Sequence, residues 1–160
     1  MRKIIFVLGI PGSGKSTFIQ KHYGDAAKFH VMDLYQESIL RFGTIQPVLD
    51  GFKVDENDAY IELYNEVPWD AFMAFDDGKV VVIECPVLDE ETSPFMELIY
   101  QASDAGVETE VIFLTVEPEE AHRRVLIAGP DYRSSADILE EQLDALEFLI
   151  DHCKRNKLQV

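Results

Sequence analysis

The sequence is short of cysteine, of positive charge and of long apolar runs, and each shortage removes a class of function. Its two cysteines, Cys85 and Cys153, are too far apart for a close ligand pair, and only His152 lies beside either of them. They read as two reduced thiols of a cytosolic protein rather than a disulfide framework or a zinc site. The chain carries 14 basic against 30 acidic side chains, a formal charge of −16. It therefore repels polyanions, and loose electrostatic binding along DNA, RNA or an anionic membrane is not expected, although a single nucleic-acid end still fits a locally positive cleft. No segment approaches the roughly 20 apolar residues of a membrane helix. Met1-Arg2-Lys3 before an apolar stretch imitates the start of a signal peptide, but the stretch is short and runs into glycines with no small-residue cleavage site. Internal repeats and low-complexity segments are also missing. The expected compartment is the cytoplasm, with no membrane and no extended nucleic acid as partner.

What is present is a globular pattern. A chain of 160 residues with 47% hydrophobic content is expected to build one domain over residues 1–160 with a sizeable core. Four apolar runs read as buried strands: Lys3 to Leu8, Phe29 to Met32, Val80 to Cys85 and Val111 to Val116. Helical patterns separate them, which predicts an α/β architecture with a parallel sheet covered by helices. Leu158-Gln159-Val160 is either a short fifth strand or a tail. Helix starts are marked by Ser93-Pro94, by the acids of Glu117-Pro118-Glu119-Glu120 and by Ser134 with Asp137. A stripe of Leu139, Leu143, Leu146, Ile150 and Cys153 draws one core-facing side of the last helix.

The stretch from Gly43 to Gly78 is longer than a crossover between two strands requires. It holds Pro47, Gly51, the acids Asp55, Glu56 and Asp58, a helix with Tyr60, Tyr64 and Val67 on one face, then Pro68 and Trp69. Extra length of this kind suits a helical substrate-side insertion. Its aromatics, Trp69, Phe72 and Phe75 among them, either stack on a planar or sugar ligand or build a satellite core.

The specific signal is GIPGSGKST, Gly9 to Thr17, directly after the first apolar run. The spacing of Gly9, four residues, then Gly14-Lys15-Ser16 fits the phosphate-binding P-loop, and the preceding strand and following helix supply the context that makes the motif physical. Backbone N–H groups of Gly12, Ser13, Gly14, Lys15 and Ser16 would surround a β-phosphate at the positive end of a helix opened by Ser16 and Thr17. Lys15 would reach the β- and γ-phosphates, and the Ser16 hydroxyl would hold Mg²⁺.

Chemistry needs more than a receptor, and ligands of open α/β sheets sit beyond the carboxyl ends of the strands. Asp33 closes the second run and Glu84 nearly closes the third. Glu84 reads as the acid that holds a Mg²⁺-bound water or positions the acceptor, or as a structural partner of a lysine. Asp33 reads as the group that takes the proton of an attacking hydroxyl, or as a cap for the helix after it. Arg123, Arg124 and Arg133 flank Ala128-Gly129-Pro130. For Arg123 the expectation is surface pairing with Glu119 and Glu120. For Arg124 and Arg133 it is a short lid over 124–133 that brings a cation onto the transferring phosphoryl group.

Together the loop, Asp33, the apolar strand ending in Glu84 and the lid arginines resemble the P-loop kinases, nearest to the zeta toxin and polynucleotide kinase branch. The resemblance implies a three-layer αβα P-loop NTPase fold with a mostly parallel, roughly five-stranded sheet. It implies ATP and Mg²⁺ as cofactors, Lys15 on the ATP phosphates, Asp33 activating the acceptor hydroxyl, and Arg124 or Arg133 stabilising the transfer. The partners are then a nucleotide and a hydroxyl-bearing acceptor: a small molecule, a nucleotide sugar or a nucleic-acid end. ATP rather than GTP rests on the family, although the guanine-specifying pattern Asn-Lys-any-Asp is absent, since Asn156-Lys157-Leu158 is followed by Gln159. The competing readings are an NTP hydrolase or switch in which Glu84 positions water, and a non-catalytic nucleotide-binding module.

Overall fold

A computed structural model of the chain describes residues 2–10, 12–44, 58–86, 94–128 and 136–155. Ten elements follow in order: β1 Lys3–Gly9, α1 Lys15–Tyr23, β2 Phe29–Asp33, α2 Leu34–Phe42, α3 Asp58–Asp76, β3 Val80–Pro86, α4 Pro94–Asp104, β4 Glu108–Phe113, α5 Pro118–Ala128 and α6 Ala136–Arg155. The strands form one sheet in the order β2-β3-β1-β4, and every neighbouring pair is parallel. Among the described residues the sheet thus has four strands, and the expected fifth at Leu158–Val160 lies outside them. No helix of the described residues is long and apolar enough to cross a membrane.

The central strands read as continuous apolar runs because both of their faces are covered. In β1, Ile5 and Val7 pack with Val82 against Ile19 of α1. The alternate residues Ile4, Phe6 and Leu8 face the other side, where Val67 and Ala71 of α3, Leu98 and Ile99 of α4 and Leu146 and Leu149 of α6 close the larger core. The stripe predicted for the last helix lies in this core at Leu146 and Cys153, with Leu143 and Ile150 partly buried against it. The side chain of Leu139 is outside the described residues.

Three expectations need correction. The fourth strand is Glu108–Phe113, not Val111–Val116, because the ladder pairs Lys3 with Glu108 through Leu8 with Phe113. Glu108 and Glu110 are accommodated at this outer strand by the Lys3 ammonium, 3.7 and 2.9 Å away. Beyond Phe113 only the Leu114 N–H continues toward β1, donating to Leu8 O at 2.8 Å. Second, the helix expected around Tyr60 does not stop at Pro68 but runs through it to Asp76. The ring removes one helical hydrogen bond, yet burial of Val67, Ala71 and Ala74 on one side holds both turns to the sheet. Third, the aromatics of α3 fit neither reading as a group. Trp69 is 72% exposed and Phe72 46% exposed, so they build no satellite core. Phe72 and Phe75 lie under the Arg2 guanidinium, 5.1 and 5.9 Å from its carbon. That is the amino end of β1, about 20 Å from its glycine end, so these two rings are remote from the phosphate loop. The side chains of Tyr60 and Tyr64 lie outside the described residues.

Candidate active site at the carboxyl edge of the sheet

Because β1 and β3 are immediate neighbours, with Val7 opposite Glu84 and Glu84 opposite Asp33, the ends of three strands converge on one edge. The loop leaving β1 turns through two glycines with left-handed backbone, Gly12 at φ 82 and Gly14 at φ 90, before α1 begins at Lys15. At Gly12 the requirement is also steric: a Cβ would stand 2.2 Å from Ala121 O of α5. Gly12→Ala should therefore lower stability by about 1–3 kcal/mol, read as a fall in Tm, with weaker nucleotide binding. An unchanged Tm would show that this loop is not seated on α5 as described.

Lys15 is buried, and its ammonium folds back on the strand end, donating to Gly9 O at 2.7 Å and Ile10 O at 3.2 Å. The Ser16 hydroxyl donates to both oxygens of Glu84, at 3.1 and 3.3 Å. Glu84 itself is 9% exposed. Burial raises its carboxyl above the ordinary range, and the neighbouring Asp33 raises it further by charge and by a side-chain hydrogen bond, against the opposing pull of Lys15 and of the Ser16 hydrogen bond. Asp33 also accepts from the Gln36 N–H at 3.4 Å. The cap and the site carboxylate are therefore one residue: a weak bond holds the start of α2 while the side chain meets Glu84.

The fourth contributor comes from α5. Glu120, in its first turn, accepts from both arginines: from Arg123 at 2.8 and 2.7 Å and from Arg124 at 3.0 Å. These hydrogen bonds, that from Arg123 first, hold the Glu120 carboxyl at about 2. Its ion pairing is thus complete above the ordinary carboxylate range and is lost only as pH falls toward that value. Arg123 bonds only within α5 among the described residues, the surface role expected of it. Arg124 reaches further, with one guanidinium nitrogen donating to Gly12 O at 3.1 Å. Arg133 lies outside the described residues.

Sequence reading missed what surrounds these groups. A cavity of about 570 Å³ opens from Gly12 and Gly14 along Thr17, Phe18 and Lys21 of α1, with Arg124 and Val125 opposite. Positions 14, 17, 18 and 21 recur at helical spacing, a signal that was available once α1 was placed. Glu120 is the expected partner of Arg123, and its second pairing, with Arg124, follows from the same helical spacing, at four residues.

The site fits a triphosphate and a divalent cation. At Gly14 the loop leaves room where a side chain would stand, with only the Arg124 guanidinium within 4 Å, the Ser13 hydroxyl is buried with no protein partner, and Ser16 with Glu84 makes an all-oxygen donor pair of the kind Mg²⁺ prefers.

No family model matches the chain, and no curated protein sequence does. Its fold is shared with solved structures. One chain of the Pnkp1/Rnl/Hen1 RNA repair complex superposes with a TM-score of 0.69 at 14% identity, over 94% of this chain and 46% of that one. A second structure of the Pnkp1/Rnl/Hen1 complex gives 0.57 at 16% identity, over 86% of this chain and 44% of the other. A sugar kinase from Janibacter gives 0.54 at 18% identity, over 91% and 78%. The chain thus spans less than half the length of the repair-complex chains. At these identities the likeness is one of fold, an α/β architecture that this chain shares with a sugar kinase and with a component of an RNA repair assembly.

Proposed function

We propose that the protein is a P-loop phosphotransferase that moves the γ-phosphate of ATP onto the hydroxyl of a small molecule, a nucleotide sugar or a nucleic-acid end. The observation that carries this reading is the convergence of Lys15 and Ser16 with the paired acids Asp33 and Glu84 at one sheet edge. A binding module needs the first two, and a hydroxyl acceptor gives work to the acids. The fold likeness to a sugar kinase and to an RNA repair component supports a sugar or polynucleotide hydroxyl as acceptor, in line with the zeta toxin and polynucleotide kinase branch.

In this reading the loop amides and Lys15 bind and orient the triphosphate, the ammonium exchanging its two carbonyl partners for phosphate oxygens. Ser16 and Glu84 would hold Mg²⁺, which would offset charge on the triphosphate. Asp33 accepts the proton as the acceptor oxygen bonds to the γ-phosphorus and the bond to the β–γ bridging oxygen breaks, with ADP leaving. Arg124 leaves Gly12 O for the equatorial oxygens, where charge grows. Residues 43–78 serve as the acceptor-side insertion and 124–133 as the lid, with Arg133 its second cation, all within one domain over 1–160. The cavity beside Gly14, lined by Thr17, Phe18 and Val125, is where the nucleoside of the donor would sit.

Incubating labelled ATP and Mg²⁺ with pooled nucleosides, nucleotide sugars and short 5′-hydroxyl oligonucleotides should label one class, and chelation with EDTA should stop it. Arg124→Ala should slow that transfer by about 10²-fold or more, whereas Arg123→Ala leaves it within a few fold. ATP hydrolysis with no labelled acceptor in any pool would replace the kinase by the hydrolase reading.

A further inference from the structure

We propose that the outer edge of β2 is a docking site for an extended basic segment of another protein, which adds to the sheet as one more strand. The inference is independent of the reaction proposed above. β2 is the last strand on its side of the sheet and pairs only with β3 among the described residues, so alternate backbone N–H and C=O groups along it point away from the sheet. A groove of about 360 Å³ follows this edge, and its wall includes His30, Val31 and Met32 in succession. Side chains of consecutive strand residues leave from opposite faces. Three in a row can line one groove only if it runs along the edge itself, where the main chain is within reach. Among the described residues the devices that usually block such an edge are few: Phe29-His30-Val31-Met32 has no proline and no charge, Asp33 being the one acid at the strand's end, and Val31 is 40% exposed.

The flanks state which segment fits. Glu37 and Arg41 of α2 and Glu66, Asp70 and Asp77 of α3 line the groove, with Lys79 at its end. Arg41 is already engaged by Glu37, Glu62 and Glu66. Asp70 and Asp77 have no ion pair among the described residues, and they leave the groove with surplus negative charge beside unpaired main chain. An added strand with lysine or arginine at alternate positions meets both needs: its backbone pairs with β2, and its side chains on one face reach the acids. A second copy of this chain is a poor occupant, because pairing β2 with β2 would bring two acidic flanks together on molecules that each carry −16. A nucleic-acid strand is repelled for the same reason.

The test is selection of seven-residue acetylated, amidated peptides on the full-length protein. One pool alternates Lys or Arg with Val, Ile, Thr or Tyr, and a matched pool carries Glu at the charged positions. The basic pool should be enriched about tenfold or more over the acidic one. The best peptide should shift amide resonances of Phe29–Asp33 and protect them from exchange. N-methylation of alternate peptide amides should weaken binding about tenfold, as should Asp70→Lys with Asp77→Lys, changes at exposed positions that leave Tm unaltered. No enrichment, equal binding of the N-methylated peptide, or shifts centred on the Trp69 face or the phosphate loop would overturn the proposal. Concentration-dependent dimers that shift the same amides would assign the edge to a second copy instead.

Discussion

Lys15→Ala should reduce ATP turnover by about 10²–10³-fold, the usual cost of removing one preorganised group from developing phosphoryl charge. In the free protein its ammonium is the partner of Gly9 O and Ile10 O. The variant therefore also leaves buried carbonyls short of a donor, at about 1–3 kcal/mol, or about 2–4 °C in Tm for each kcal/mol in a chain of this size. Lys15→Met loses the same charge and the same donor to Gly9 O and Ile10 O but keeps most of the apolar stem, so it removes the packing loss from the comparison. Its turnover should fall as far as that of the alanine variant, and calorimetry with Mg²⁺ and a non-hydrolysable ATP analogue should show a matching loss of affinity. Unchanged turnover in both variants would eliminate every catalytic reading of the loop.

Asp33→Asn should slow acceptor phosphorylation by about 10²–10⁴-fold, the range lost with a general base, with nucleotide affinity nearly unchanged because Asp33 faces Glu84 rather than the loop. Glu84→Gln tests the other carboxylate through stability as well as rate. Its folded-state pKa is raised, chiefly by burial and then by Asp33, so the ionised form is disfavoured in the fold. The penalty is absent below the unfolded value of about 4.3 and complete above the folded one. Glu84→Gln should thus raise Tm at neutral pH, lose that advantage as pH falls through the raised folded value to about 4.3, and still abolish transfer. If Asp33→Asn instead leaves acceptor phosphorylation intact, Asp33 is not the base; ATP hydrolysis with no labelled acceptor that stops in Glu84→Gln would make water the acceptor.

The two acids were legible in the sequence because each ends an apolar run, and a strand end is the one place where a chain leaves the core without having to turn inside it. The parallel order was not legible. Nothing in the periodicity says that β3 inserts between β1 and β2, yet that insertion puts Glu84 against Ser16. The start of β4 was missed for a related reason: Glu108, Thr109 and Glu110 look like loop until the Lys3 ammonium stands beside them. Proline at position 68 promised a helix end, and burial on the adjoining turns outweighed it. Arg124 could be preferred over Arg123 from the sequence only weakly. Their divergence depends on which side of α5 faces Gly12, a matter of packing between segments more than a hundred residues apart.

The contact of Gly12 with Ala121 has a mechanical meaning. Main chain rests on main chain there, with no side chain between to yield by changing rotamer, and the Arg124 guanidinium ties the Gly12 carbonyl to the same helix. Close-packed backbone transmits displacement rather than absorbing it. On the proposed function, an anion arriving in the turn after β1 would therefore press on the axis of α5, and strain applied to that axis from elsewhere would alter the grip on the anion in return.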